Sequence, residues 1–221
     1  MIFYYRPHGA PDFLIQWAAW NVQDNVWGVC NVSHWISFVR IPALAVRQMI
    51  SPLPRLGVLD EDRLTLRVGL NDIDMNLHLN NARYLNLMDY ARTHLLARTL
   101  LLDRIVKKRW MPLLGAAWMT YRRSLPVFER YTITSRILGW DDRWFYIEQR
   151  FESGKGLAAV GWVKGILRDK AGNIDPQQVV HAVSPGVVSP PLPDAIQAWN
   201  ELTRDKLQET AAAASAIEIT N

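Results

Sequence analysis

The chain has 221 residues, 49% of them hydrophobic and 21% charged, with a formal net charge of +4. This composition excludes a disordered, collagen-like or disulfide-scaffolded chain and suits one globular domain with extensions. Lys and Arg are scattered rather than blocked, so nothing argues for nucleic acid; the mild basic excess suits anionic partners such as phosphates or acidic lipid heads, or serves solubility alone.

In chain order, residues 1–55 form a Trp-rich extension holding Trp17, Trp20, Trp27 and Trp35, four of the ten tryptophans. No run reaches the roughly 18 charge-free apolar residues of a spanning helix. The nearest, Phe13 to Cys30, is broken by Gln16, Asn21, Gln23, Asp24 and Asn25, and no apolar core follows a basic start as in a secretory signal. Residues 31–50 carry Trp35, Ile36, Phe38, Val39, Ile41, Leu44, Val46 and Ile50, with Arg40 and Arg47 among them. They read as an amphipathic segment, interrupted near Pro42, that either lies on a membrane surface or packs on the domain. Cys30 is the only cysteine, so no intrachain disulfide can form. A reducing, cytoplasmic location is expected, with membrane association through 31–50 as its variant.

Pro52 and Pro54 mark a linker, and the main domain is expected over 56–183. Arg63 to Leu70 alternates polar and apolar residues and predicts a half-buried strand. A polar turn follows from Asn71 to Asn80. From Asn81 to about Leu102, apolar residues at Tyr84, Met88, Ala91, Leu95 and Leu102 predict one long helix with a broad buried face. The period then changes to two over Leu113–Ser124, Arg130–Gly139, Trp144–Phe151 and Leu157–Arg168, four strands separated by short turns and expected as an antiparallel run. Residues 184–221 read as a proline-rich tether and a helix from Asp194, with Trp199, Leu202 and Leu207 on its weak apolar side. The order strand, long helix, four strands predicts an α+β domain: one antiparallel sheet wrapped around one central helix, flanked by N- and C-terminal helical extensions.

The turn Asp74-Met75-Asn76-Leu77-His78-Leu79-Asn80-Asn81 gathers a carboxylate, an imidazole and several amides where a helix begins. Acyl transfer needs a base or nucleophile and donors for an oxyanion, and unpaired helix N–H groups supply the latter. Asp74 is expected to be buried between Ile73 and Met75. Asp72, two residues away on an extended chain, is a neighbouring carboxylate that could exchange roles with it. His34, His94 and His181 lack the spacing of a metal site, and no metal is expected.

The element order, with Asp74 ahead of the helix, resembles the hotdog fold. The turn resembles that of the 4-hydroxybenzoyl-CoA thioesterase family, whose Asp, aromatic and small residues correspond to Asp74, Tyr84 and Ala91. The run His78-Leu79-Asn80-Asn81-Ala82-Arg83-Tyr84-Leu85 is similar to that of bacterial long-chain acyl-CoA thioesterases. Tyr121-Arg122-Arg123-Ser124-Leu125 and Leu138 to Tyr146 resemble the branch around the vertebrate thioesterase-superfamily member six.

The resemblance implies hydrolysis of acyl-CoA or acyl-carrier thioesters. Asp74 would serve as base or nucleophile, the Asn81 backbone N–H as oxyanion donor, and His78 as a carbonyl or water ligand. Tyr84 would wall the acyl pocket, and Arg83, Arg122 and Arg123 would reach CoA phosphates. No cofactor is implied beyond CoA as part of the substrate, and a homodimer or dimer of dimers is expected. The alternatives are a non-catalytic acyl-CoA-binding or membrane-associated hotdog module and a hotdog enoyl-CoA hydratase. The hydratase motif carries a Pro and one more residue before its His than Asp74-Met75-Asn76-Leu77-His78 does.

Overall fold

The computed structural model describes residues 54–218, with side chains from 54 to 210. The expected amphipathic segment 31–50, Cys30 and His34 lie outside the described residues. Strand β1 (Asp62–Arg67) leads through a short 3-10 turn (Leu70–Asp72) and the polar turn into helix α1 (Asn81–Arg98). Helix α2 (Leu101–Lys108) follows. Then come β2 (Met111–Tyr121), β3 (Arg130–Trp140), β4 (Phe145–Ser153) and β5 (Gly156–Arg168). A two-residue β6 (Asn173–Ile174), a short α3 (Pro176–His181) and α4 (Asp194–Glu218) complete the chain.

The helix expected to run to Leu102 ends four residues early. The Thr99 hydroxyl donates to the carbonyls of Leu95 and Leu96, and Leu100 takes a left-handed backbone with φ of 62°. That break turns the chain so that Leu101 and Ile105 of α2 are also buried.

All strand pairs are antiparallel, and the order across the sheet is β1-β3-β4-β5-β2, with β6 on β5. The four later strands are thus neighbours, but not in chain order. Tight hairpins join β3 to β4 and β4 to β5. The link from β2 to β3 instead spans Arg122–Glu129 and runs back past the polar turn, where Leu79 N–H donates to Leu125 O and Val127 N–H to Leu77 O. Those bonds hold β2 at the far edge.

The sheet's inner face curls round α1. Tyr84, Leu87, Met88, Ala91 and Leu95 are buried against Tyr131, Ile133, Phe151 and Val163. Burial of each large side chain contributes about 1.5–3 kcal/mol. Gly161 makes the closest approach possible, since a Cβ there would lie 2.5 Å from the Met88 methyl. The far end of α1 is locked to β1 by buried charge. Asp62 accepts from His94 Nδ1 at 2.5 Å and from Arg98 Nη1 at 2.7 Å. Burial alone would raise the Asp62 carboxyl, but the hydrogen bonds and charges of His94 and Arg98 outweigh it and hold it below 3.8.

Helix α4 covers the outer face of the sheet rather than its edge. Ile196 and Trp199 bury against Tyr146, Trp144 and Trp162, and Lys164 reaches up to Asn200 and Thr203 at 2.7 and 2.6 Å. Of the three apolar residues expected on this helix, only Trp199 is buried; Leu202 and Leu207 face solvent beyond the sheet. Among the described residues β2 pairs only with β5, which leaves its other edge without a strand. One antiparallel sheet around a central helix is the hotdog arrangement.

Candidate active site

The polar turn is shaped by its own side chains. Asp74 Oδ1 accepts from the backbone N–H of Asn76 at 2.8 Å and of His78 at 3.4 Å, while Asp74 N–H donates to His78 O. This closes a small loop across which Leu77 takes a left-handed φ of 60°. Among the described residues Oδ2 of Asp74 accepts no hydrogen bond. The carboxylate is therefore anchored through one oxygen and open at the other. The expected burial between apolar flanks is not what holds it: Met75 is 100% exposed, because the loop turns it outward, and Asp74 is half-buried.

Helix α1 opens directly after this loop. Asn80 is the N-cap, and its Oδ1 accepts from Ala82 N–H at 2.9 Å; the Asn80 carbonyl accepts from Arg83 N–H at 2.9 Å. The Asn81 N–H in the first turn has no acceptor among the described residues. The positive end of the helix dipole points from the same place, so the position favours an anion or a polarised carbonyl oxygen.

Asp74, His78 and Asn81 line one open groove of about 260 Å³ together with Leu79, Tyr84, Tyr121, Arg122, Arg123 and Ser124. Five residues of the helix-opening segment thus meet four consecutive ones, the last of β2 and the first three of the link that follows it. Tyr84 is a wall. It is buried, packs edge-on to Tyr121 at 5.1 Å and against Phe151 at 4.8 Å, and its hydroxyl is pushed up to about 12 by burial and then by Tyr121. It stays neutral at physiological pH. Sequence reading gave Tyr121 no role, yet its hydroxyl donates to Asn81 O at 3.2 Å and fixes the first turn of α1 to β2. Its place beside Arg122 and Arg123 was the signal.

The three arginines expected on CoA phosphates are sorted by the fold. Arg83 leaves the groove: it is 8% exposed, and Nε and Nη2 both donate to Asp72 Oδ1, at 3.2 and 2.9 Å. Its place on α1 is a buried one, so a carboxylate must accompany it. Asp72 is 1% exposed in that pair and does not share the groove with Asp74, which removes it as a substitute base. Arg123 lines the groove but is spent on structure, donating to Ser124 O, Glu129, Ser153 Oγ and Gly156 O. Arg122 lines the groove, is exposed and has no ion-pair partner among the described residues.

A second cavity, of about 370 Å³, lies between α1, α2 and the sheet. Leu87, Leu96, Leu113, Ile147 and Val163 make it largely apolar, with Arg83, Asp89 and Arg92 also in its lining, and it shares no residue with the groove of Asp74.

A model of the thioesterase-like superfamily matches residues 68–200. Protein THEM6 of Drosophila melanogaster is 33% identical over 144 residues, 62% of this chain and 72% of its own length. Thioesterase lcsJ of Purpureocillium lilacinum is 35% identical over 112 residues, 42% of this chain and 36% of its own. Among solved structures, YbaW, a probable thioesterase from Escherichia coli, superimposes with a TM-score of 0.51 at 19% identity, over 56% of this chain and 96% of that one. That last likeness is one of fold.

Proposed function

The chain belongs to the thioesterase-like superfamily, and from that premise we propose that it hydrolyses acyl-CoA thioesters to the free acid and the thiol. The observation that carries the reading is the meeting of an open carboxylate oxygen on Asp74 with an unpaired N–H at Asn81 in one groove. As a base, Asp74 takes a proton from water while the oxygen attacks the thioester carbonyl. As a nucleophile, it forms a mixed anhydride that water then opens. In both routes the carbonyl oxygen gains charge facing the Asn81 N–H and the start of α1, the C–S bond breaks, and the thiolate regains a proton. His78 lines the same groove and orients water or the carbonyl, Tyr84 walls the acyl group, and Arg122 is the cation left for CoA phosphate. Measuring thiol release across acyl-CoA chain lengths tests this. Turnover of at least one supports it, whereas tight binding without turnover rejects hydrolysis in favour of an acyl-CoA-binding module.

The acyl chain needs more room than the groove of one chain supplies, and we place it in the second cavity by way of a dimer. Strand β2 is an exposed edge of 11 residues with Met111, Leu114, Trp118 and Tyr121 in solvent, and such edges are usually paired or covered. Its first half, Pro112 to Leu114, lines the apolar cavity, and its last residue, Tyr121, lines the groove of Asp74. Twofold antiparallel pairing of β2 with a copy of itself sets the first half of one strand beside the last half of the other. The apolar cavity of one protomer then borders the Asp74 groove of its partner. Light scattering should give a species of twice the 25.4 kDa chain mass. A stable, active species of one chain mass would reject the shared site.

A further inference from the structure

The turn that carries Asp74, the 3-10 turn before it and the link from β2 to β3 all hold apolar side chains exposed to solvent. Met75 is 100% exposed, Leu70 67%, Leu77 59% and Phe128 52%. Leu77 and Phe128 are both held in the left-handed backbone region, with φ of 60° and 66°. Bulky apolar residues rarely adopt that conformation, and here no burial repays it. Backbone hydrogen bonds tie their turns into one surface: Val127 N–H donates to Leu77 O, and Phe128 N–H to Val68 O. The patch therefore sits at one end of the sheet, beside the groove mouth.

A second observation says what covers it. Arg67 and Arg130 are direct cross-strand partners at the end of β1 and β3, both exposed. Like charges in that register repel, and among the described residues neither has an ion pair. Arg67 donates to Phe128 O at 2.8 Å, which fixes it against the apolar patch itself. Arg122 is a third exposed cation with no ion pair among the described residues. Of the nearby carboxylates, Asp72 is engaged by Arg83 and Glu129 by Arg123 and Ser153, while Asp74 lines the groove.

We propose that this end of the domain docks on an anionic phospholipid surface, with Met75, Leu77 and Phe128 entering the headgroup layer and Arg67, Arg130 and Arg122 pairing with lipid phosphates and carboxylates. The surface is distinct from residues 31–50. Docking does not rest on hydrolysis; if the chain is a thioesterase, docking sets the groove mouth of Asp74 at the layer into which long-chain acyl thioesters partition.

The test is co-sedimentation of the full chain with phosphatidylcholine vesicles, with and without phosphatidylserine. One variant is Met75→Ser, Leu77→Asn and Phe128→Asn together; Asn is at home in the left-handed region, so the fold is kept, as a melting curve will show. The other is Arg67→Gln with Arg130→Gln. Each should lower partitioning onto phosphatidylserine vesicles by roughly tenfold or more, and wild-type binding should fall as salt rises. Partitioning equal to wild type in the apolar triple variant would overturn the proposal. So would a lower solution mass of that variant in light scattering, which would make the patch a contact between copies.

Discussion

Asp74→Asn should leave the chain folded and lower acyl-CoA turnover by at least about a hundredfold, the smallest loss expected when a positioned general base is removed. The substitution separates two jobs that this residue holds at once. Asn retains an oxygen that can accept from Asn76 and His78 N–H, so the loop that opens α1 persists. The second position becomes an NH₂ group in place of the open Oδ2, with neither basicity nor nucleophilicity. Asp74→Ala removes both, and its melting temperature should drop as well, because two loop N–H donors lose their acceptor. The measurement is kcat for one acyl-CoA beside a thermal melt of each variant. A folded Asp74→Asn protein with near-normal turnover would take Asp74 out of the chemistry.

What was legible in the sequence divides along range. Asp74, His78 and Asn81 lie within eight positions, and a turn followed by a helix start brings such neighbours together whatever the rest of the chain does. Period-two patterning likewise located β3, β4 and β5 to within a residue or two. Strand order was not legible: Pro126 marks a break between β2 and β3 but does not say that β2 crosses to β5, since the bonds that route the link are backbone bonds to Leu77 and Leu79. The early end of α1 was hidden for a similar reason. Neither Gly nor Pro stands there, and the stop is made by a Thr99 hydroxyl turning back on its own helix. Tyr121 joined the groove only when the last residue of β2 came to rest over the first turn of α1. The cavity that we assign to the acyl chain is built from three helices and four strands, and no local pattern encodes it.

The arginines show the cost of that limit, because in the sequence Arg83, Arg122 and Arg123 looked alike. Arg83→Met should destabilise the domain by about 3–5 kcal/mol, the penalty of removing one partner of a buried ion pair. Asp72 is 1% exposed, and its Oδ1 loses both guanidinium donors, Nε and Nη2, while Oδ2 still accepts from the Gly69 N–H at 3.2 Å. Nη1 of Arg83 already lacks a hydrogen-bond partner among the described residues, which places the expected loss toward the low end of that range. Adding Asp72→Asn to Arg83→Met should recover part of the loss, since a neutral amide costs less to bury than a carboxylate that has lost its guanidinium. Arg122→Gln should behave in the opposite way. It is exposed and without an ion pair among the described residues, so stability should change by no more than about 0.5 kcal/mol, while KM for acyl-CoA rises. Denaturant melts at one fixed protein concentration, since assembly would shift them, set beside KM for each variant, decide the matter. If Arg83→Met melts like the wild type and raises KM alone, Arg83 is a substrate contact and its pairing with Asp72 is not what holds the start of α1.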